Sequence, residues 1–116
     1  MLTPKEIRVL SVLRNTVERR ESGATVAADG SDVPTKGYVV GGVAPELVMT
    51  NGTRDLPSWV ARNSGEYFGI WRDDATGKYH ADISEHYTDR DTAISIARQR
   101  NEIAIWDLAN GTEIRV

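Results

Sequence analysis

The chain has 116 residues, with 40% hydrophobic and 27% charged side chains, a net charge of −3 and no cysteine. That length suits one domain, able to bury roughly two-thirds of the surface its unfolded chain exposes. Disulfides, thiolate metal sites and cysteine nucleophiles are excluded; the acidic excess, carried by residues 37–116, argues against nucleic acid, whose phosphates need clustered cations.

The opening run MLTPKEIRVL is broken by charges, so it is not read as a secretory signal. Thr3, Pro4 and Glu6 instead announce a helix: a hydroxyl cap, a proline at the first helical position, and a carboxylate placed to reach back. Ile7, Leu10, Leu13 and Val17 recur at helical spacing, and the helix is expected to fill residues 1–21 and stop near Gly23. Lys5, Arg8 and Arg19 flank that apolar stripe. Residues 22–36, SGATVAADGSDVPTK, are small and polar and read as a flexible linker. An amphipathic helix on a tether must bury its stripe against something, which makes Ile7, Arg8, Leu10, Leu13, Val17 and Arg19 the candidate partner-binding or self-association residues.

Residues 37–116 read as the folded α+β domain. GYVVGG and ELVMT are two short strands, and LPSWVARN is a short helix with Thr53 or Asp55 at its start and Leu56, Trp59 and Val60 on one face. In EYFGIWRDDATGKYHADIS two period-two runs flank a glycine turn, the pattern of a hairpin. Thr88 and Asp91 suggest the start of the next helix, with Ala93, Ile94, Ile96 and Ala97 as its apolar face and Asn101 as a left-handed cap. EIAIWDL, ANGT and EIRV complete a second hairpin. The Asn-Gly-Thr tripeptides at Asn51 and Asn110 are read as turns. Strands joined mainly by hairpins favour a small antiparallel sheet with helices on one face.

Several residues invite a chemical reading. His80, Asp82, Ser84 and His86 share one face of a strand. As i, i+2 neighbours about 6–7 Å apart, they are spaced widely for one metal ion, and no nucleophile turn or oxyanion site accompanies them. They are read as a solvated face, with Tyr79, Ala81 and Ile83 turned to the core. A small-ligand or metal-dependent enzyme built on these four residues is the alternative. YVVGG lacks the remaining glycines and lysine of a phosphate loop, and DDATGK is too short for a calcium loop. Trp71 and Trp106 are expected in the core, and Trp59 partly exposed. No cofactor or metal is expected.

The runs YVVGG…APELV, GIWRDDATGKYHADIS and DRDTAISIARQRNEIAIWDL together resemble small proteins encoded by actinobacterial phages and prophages. The resemblance covers about residues 37–108 and carries no catalytic residue with it. It implies a phage accessory protein working in the host bacterial cytoplasm. With the residue reading, the expectation is a non-enzymatic protein that binds another protein or a second copy of itself.

Overall fold

The computed structural model describes residues 1–50 and 52–116, so the turn read at Asn51 lies outside the described residues. The chain is an α+β fold in the order α1 (Pro4–Glu18), β1 (Gly23–Ala27), β2 (Tyr38–Val40), β3 (Leu47–Met49), α2 (Leu56–Arg62), β4 (Tyr67–Arg72), β5 (Tyr79–Tyr87), α3 (Arg90–Gln99), β6 (Ala104–Asp107) and β7 (Thr112–Arg115). The strands form one antiparallel sheet of order β1-β4-β5-β2-β6-β7, with β3 also paired to β5. No helix among the described residues is long and apolar enough to cross a membrane.

β5 organises the sheet. One edge carries β4, with Tyr67 opposite Ser84 and Trp71 opposite His80. The other edge carries β3 against residues 79–81 and β2 against residues 85–87. Between those two contacts the regular pairing lapses, and the Val43 amide alone donates to the Ile83 carbonyl at 3.4 Å. Directly opposed residues share a face, so the register sorts the whole sheet. Tyr79, Ala81 and Ile83 face α1 and α2 and join Val9, Leu10, Leu13, Val26, Leu56, Trp59, Phe68 and Ile70 in the main core. Farther along the same face, Tyr87, Tyr38, Val40 and Ile105 pack on Ala93 and Ala97 of α3. All three helices therefore cover one side.

The start of α1 follows its sequence signature. The Thr3 hydroxyl accepts from the Glu6 amide at 3.1 Å, and the Glu6 carboxylate accepts from the Thr3 amide at 2.9 Å. Its end differs from expectation. Arg20, at φ 55°, makes the left-handed turn, and the Glu21 amide bonds back to the Thr16 carbonyl at 3.0 Å. Gly23 opens a strand instead of ending the helix. Asp89, not Thr88, caps α3 by accepting from the Thr92 amide at 2.8 Å, while Asn101 takes the expected left-handed cap at φ 59°.

Within residues 22–36, read as a flexible linker, Gly23–Ala27 instead form a strand. Ala24, Val26 and Ala28 alternate toward the main core, and β1 pairs along its whole length with β4. The expectation that Leu10 and Leu13 need a partner to cover them is corrected as well. Leu10 and Leu13 are buried in the chain's own core, Val17 packs at its edge, and Val9 belongs to the buried stripe. Ile7, Arg8 and Arg19 stay exposed. The helix end is tied to the sheet by Tyr79, whose hydroxyl donates to the Glu21 carbonyl at 2.6 Å, and by Arg72, whose Nη1 donates to the Arg20 carbonyl at 3.2 Å.

A helix that belongs to the core is costly to truncate. Leu13→Ala, at a position with 0% exposure, is expected to cost about 2–4 kcal/mol in urea unfolding. Ile7→Ala is expected to stay within about 0.5 kcal/mol. A Leu13→Ala chain with an unshifted midpoint would return α1 to the status of an appendage.

An acidic, tryptophan-lined cleft on the helix-free face

The opposite face of the sheet has no helix over it. The same register that sends Tyr79, Ala81 and Ile83 inward sends His80, Asp82, Ser84 and His86 here. Gly69 and Trp71 of β4 lie opposite Asp82 and His80, and Thr25 of β1 lies opposite Gly69. On the far side, Trp106 of β6 opposes Val39 of β2 and Glu113 of β7. Apart from His80 and His86, these residues line a cleft of about 520 Å³ that reaches from β1 to β7, to which Glu102 and Ile103 also contribute. A hollow of about 560 Å³ along α3 is lined by that helix's own surface side chains, among them Asp91, Ser95 and Arg98, and brings no second element to a ligand.

The expectation for the tryptophans is reversed. Trp59 is 4% exposed, stacks edge-on against Phe68 with centroids 5.7 Å apart, and donates its indole N–H to the Pro45 carbonyl at 3.3 Å. Trp71 and Trp106 are 43% and 46% exposed. One side of Trp71 is covered by the His80 ring, parallel to within 12° at 4.2 Å.

The four polar residues of β5 divide into two pairs. The histidines are engaged in local structure. His80 Nδ1 bonds the Glu46 carboxylate at 2.8 Å, and His86 Nε2 donates to the Lys36 carbonyl at 2.7 Å. Asp82 and Ser84 are left pointing into the cleft, and they are not a solvated face. Ser84 is 8% exposed. Among the described residues no fully buried polar side-chain atom lacks a partner, and no protein group bonds this hydroxyl, so it opens onto the cleft it lines. No group of three or more metal-ligating side chains occurs among the described residues.

Asp82 is sunk between two glycines. A Cβ at Gly69 would stand 2.7 Å from Asp82 Oδ1. A Cβ at Gly41 would stand 3.0 Å from Asp82 Oδ2 and 2.8 Å from Glu102 Oε1. A side chain at either place would collide with the acid, and the Gly41 contacts show that the Asp82 and Glu102 carboxyls converge on one point. Burial, then the nearby charges of Glu46 and Glu102, push the Asp82 carboxyl up to about 6. Burial and the charge of Glu46 also raise Glu102, against the pull of Arg100. Arg100 itself is spent on Glu85 and on the Gly41 carbonyl. None of the ion pairs among the described residues includes Asp82 or Glu102.

An acid held at about 6 against an ordinary 3.8 favours the fold while it is protonated. That contribution is complete below pH 3.8, is lost as pH rises through about 6, and is absent at neutral pH. Asp82→Asn removes the buried charge with little change of shape. It is expected to stabilise the chain by about 1–2 kcal/mol at pH 7.5, with the gain vanishing near pH 3.5. Thermal melts across that range check it; an Asp82→Asn chain less stable than the parent at pH 7.5 would contradict the electrostatic account.

No protein-family model, curated protein or solved structure matches the chain.

Proposed function

We propose that the chain is a non-catalytic binding module that engages a partner protein through the helix-free face of its sheet. The observation that carries this reading is the distribution of exposed large apolar side chains. Trp71, Ile103 and Trp106 line the cleft, and Val48 lies opposite His80 on the same face. Exposed apolar surface gathered on one face, tryptophans included, is the composition of a protein contact. The engagement of both histidines in local bonds supports a binding role over hydrolysis, since Ser84 is left with no imidazole base. The resemblance of residues 37–108 to phage and prophage proteins suggests an accessory role in a bacterial host.

One feature favours a second, enzymatic reading. Two convergent carboxyls, one titrating near neutrality, also suit proton transfer. In that case Asp82→Asn and Glu102→Gln would abolish turnover of a small ligand while leaving its binding in place.

The binding reading is tested with a partner isolated from bacterial lysate on the tagged chain, then identified, purified and titrated calorimetrically. Trp71→Ala and Trp106→Ala are each expected to weaken binding by about tenfold or more. Ile7→Ala on exposed α1 is expected to leave affinity unchanged. Equal affinity for all chains, or a loss confined to Ile7→Ala, would contradict the reading.

A further inference from the structure

We propose that the group recognised in this cleft is an arginine side chain, presented by a segment of the partner protein, with its guanidinium over the Asp82 and Glu102 carboxylates in the cleft that Trp71 and Trp106 line. The inference rests on the binding reading above and specifies its chemistry.

Charge points to a cation. Asp82, Glu102 and Glu113 line the cleft, and no Lys or Arg does so among the described residues. Two like charges converging in a partly buried place repel one another, and a positive guest relieves that repulsion. The same carboxylates would repel phosphate or another anion. A second feature is independent of charge: the Ser84 hydroxyl, on a residue 8% exposed, faces the cleft as a further acceptor. The glycines add a third. Gly41 and Gly69 keep the backbone bare around the carboxylates, where any side chain would fill the space.

The walls favour arginine over lysine. A guanidinium is planar, stacks on indole faces, and carries five N–H donors in a fork that two carboxylates and a hydroxyl can share. An ammonium is a compact point charge and uses neither the flat walls nor the spread of acceptors. The cleft, about 520 Å³, is several times larger than one guanidinium and has exposed, apolar Ile103 in its lining. That room and that apolar lining fit the residues flanking an arginine in a chain, so the source is a protein segment and not a free small cation.

The site also carries a pH dependence. The groups facing Asp82 are Glu46 from the loop before β3, Glu102 from the loop after α3 and His80 on its own strand; Glu113 lies across the cleft on β7, and Arg100 stands beside Glu102. As Asp82 takes up a proton, the cleft loses negative charge and with it affinity for a cation.

The test is an NMR and tryptophan-fluorescence titration of the full chain with three probes. They are an acetylated, amidated pentapeptide with a central arginine, the same peptide with citrulline, and methylguanidinium. The arginine peptide is expected to bind about tenfold or more tightly than the citrulline peptide, with shifts at Trp71, Trp106 and Ser84. It is expected to weaken about threefold or more between pH 7.5 and pH 5, with a shallower fall in Asp82→Asn. Asp82→Asn and Glu102→Gln should each lower its affinity about fivefold or more at pH 7.5 while leaving the fold's spectrum intact. Equal binding of the citrulline peptide would overturn the inference while leaving the cleft as a binding surface. Methylguanidinium binding as tightly as the arginine peptide would overturn the protein source. No response of Trp71 or Trp106 to any probe overturns the inference; only the partner titration with the Trp71→Ala and Trp106→Ala chains would overturn the wider binding reading.

Discussion

The architecture depends on the alternation of a single strand. β5 runs nine residues without interruption, from Tyr79 to Tyr87, and every other strand takes its register from it directly or through its neighbours. Its odd-numbered residues face the helices; its even-numbered residues face the other side, where Asp82 and Ser84 reach the cleft. A shift of one residue in its pairing would exchange the two sets, putting His80 and Asp82 into the core and Ile83 into water. The burial of Ala81 and Ile83 is therefore also what aims Asp82 and Ser84 at the cleft. Core and cleft are two faces of one hydrogen-bonded ladder.

The helix side makes that ladder rigid. α1 and α2 close the main core over β1, β3, β4 and the first half of β5, while α3 closes a smaller one over β2, β6 and the second half. Hydrogen bonds from Tyr79 and Arg72 to carbonyls just beyond α1 bind the helix end to the hairpin carrying Trp71. The cleft is thus built on strands whose backs are packed. Against this support stands an electrostatic cost. Asp82 is kept beside Glu102, near Glu46, in a place where burial opposes its ionisation. Unfavourable charge retained at an open surface is characteristic of sites shaped by function more than by stability.

Much of the fold is legible in the sequence because local chemistry and tertiary structure agree there. The Thr3–Glu6 cap, the period of two on both sides of DDATGK, and Asn101 after α3 each have a mechanism that operates within a few residues. β1 is hidden because GATVA has short side chains and sits among serine, glycine and aspartate; its alternation of Ala24, Val26 and Ala28 is a faint signal that only pairing with β4 makes decisive. The cleft is harder still to read. Period two shows that Asp82 and Ser84 share a face, but whether they are wet depends on strands distant in sequence, β1 and β6–β7, that bring Thr25, Trp106 and Glu113 to the same hollow. For Trp71 a usable clue does exist. Closing the hairpin symmetrically about its turn pairs Trp71 with His80, so the two must share a face, and a tryptophan beside a polar histidine is not a core tryptophan. Size alone misleads: Trp59, on a helix of seven residues, is the one that fills the core.

The helix-free face carries two part-exposed indoles in a negatively charged cleft. Collisional quenching of tryptophan fluorescence at low ionic strength measures both properties at once, because buried Trp59 is shielded from either ion. Caesium is predicted to quench the chain about twofold or more efficiently than iodide, relative to free tryptophan, with the bias reduced in Asp82→Asn. Equal quenching by the two ions, or a bias toward iodide, would contradict the account.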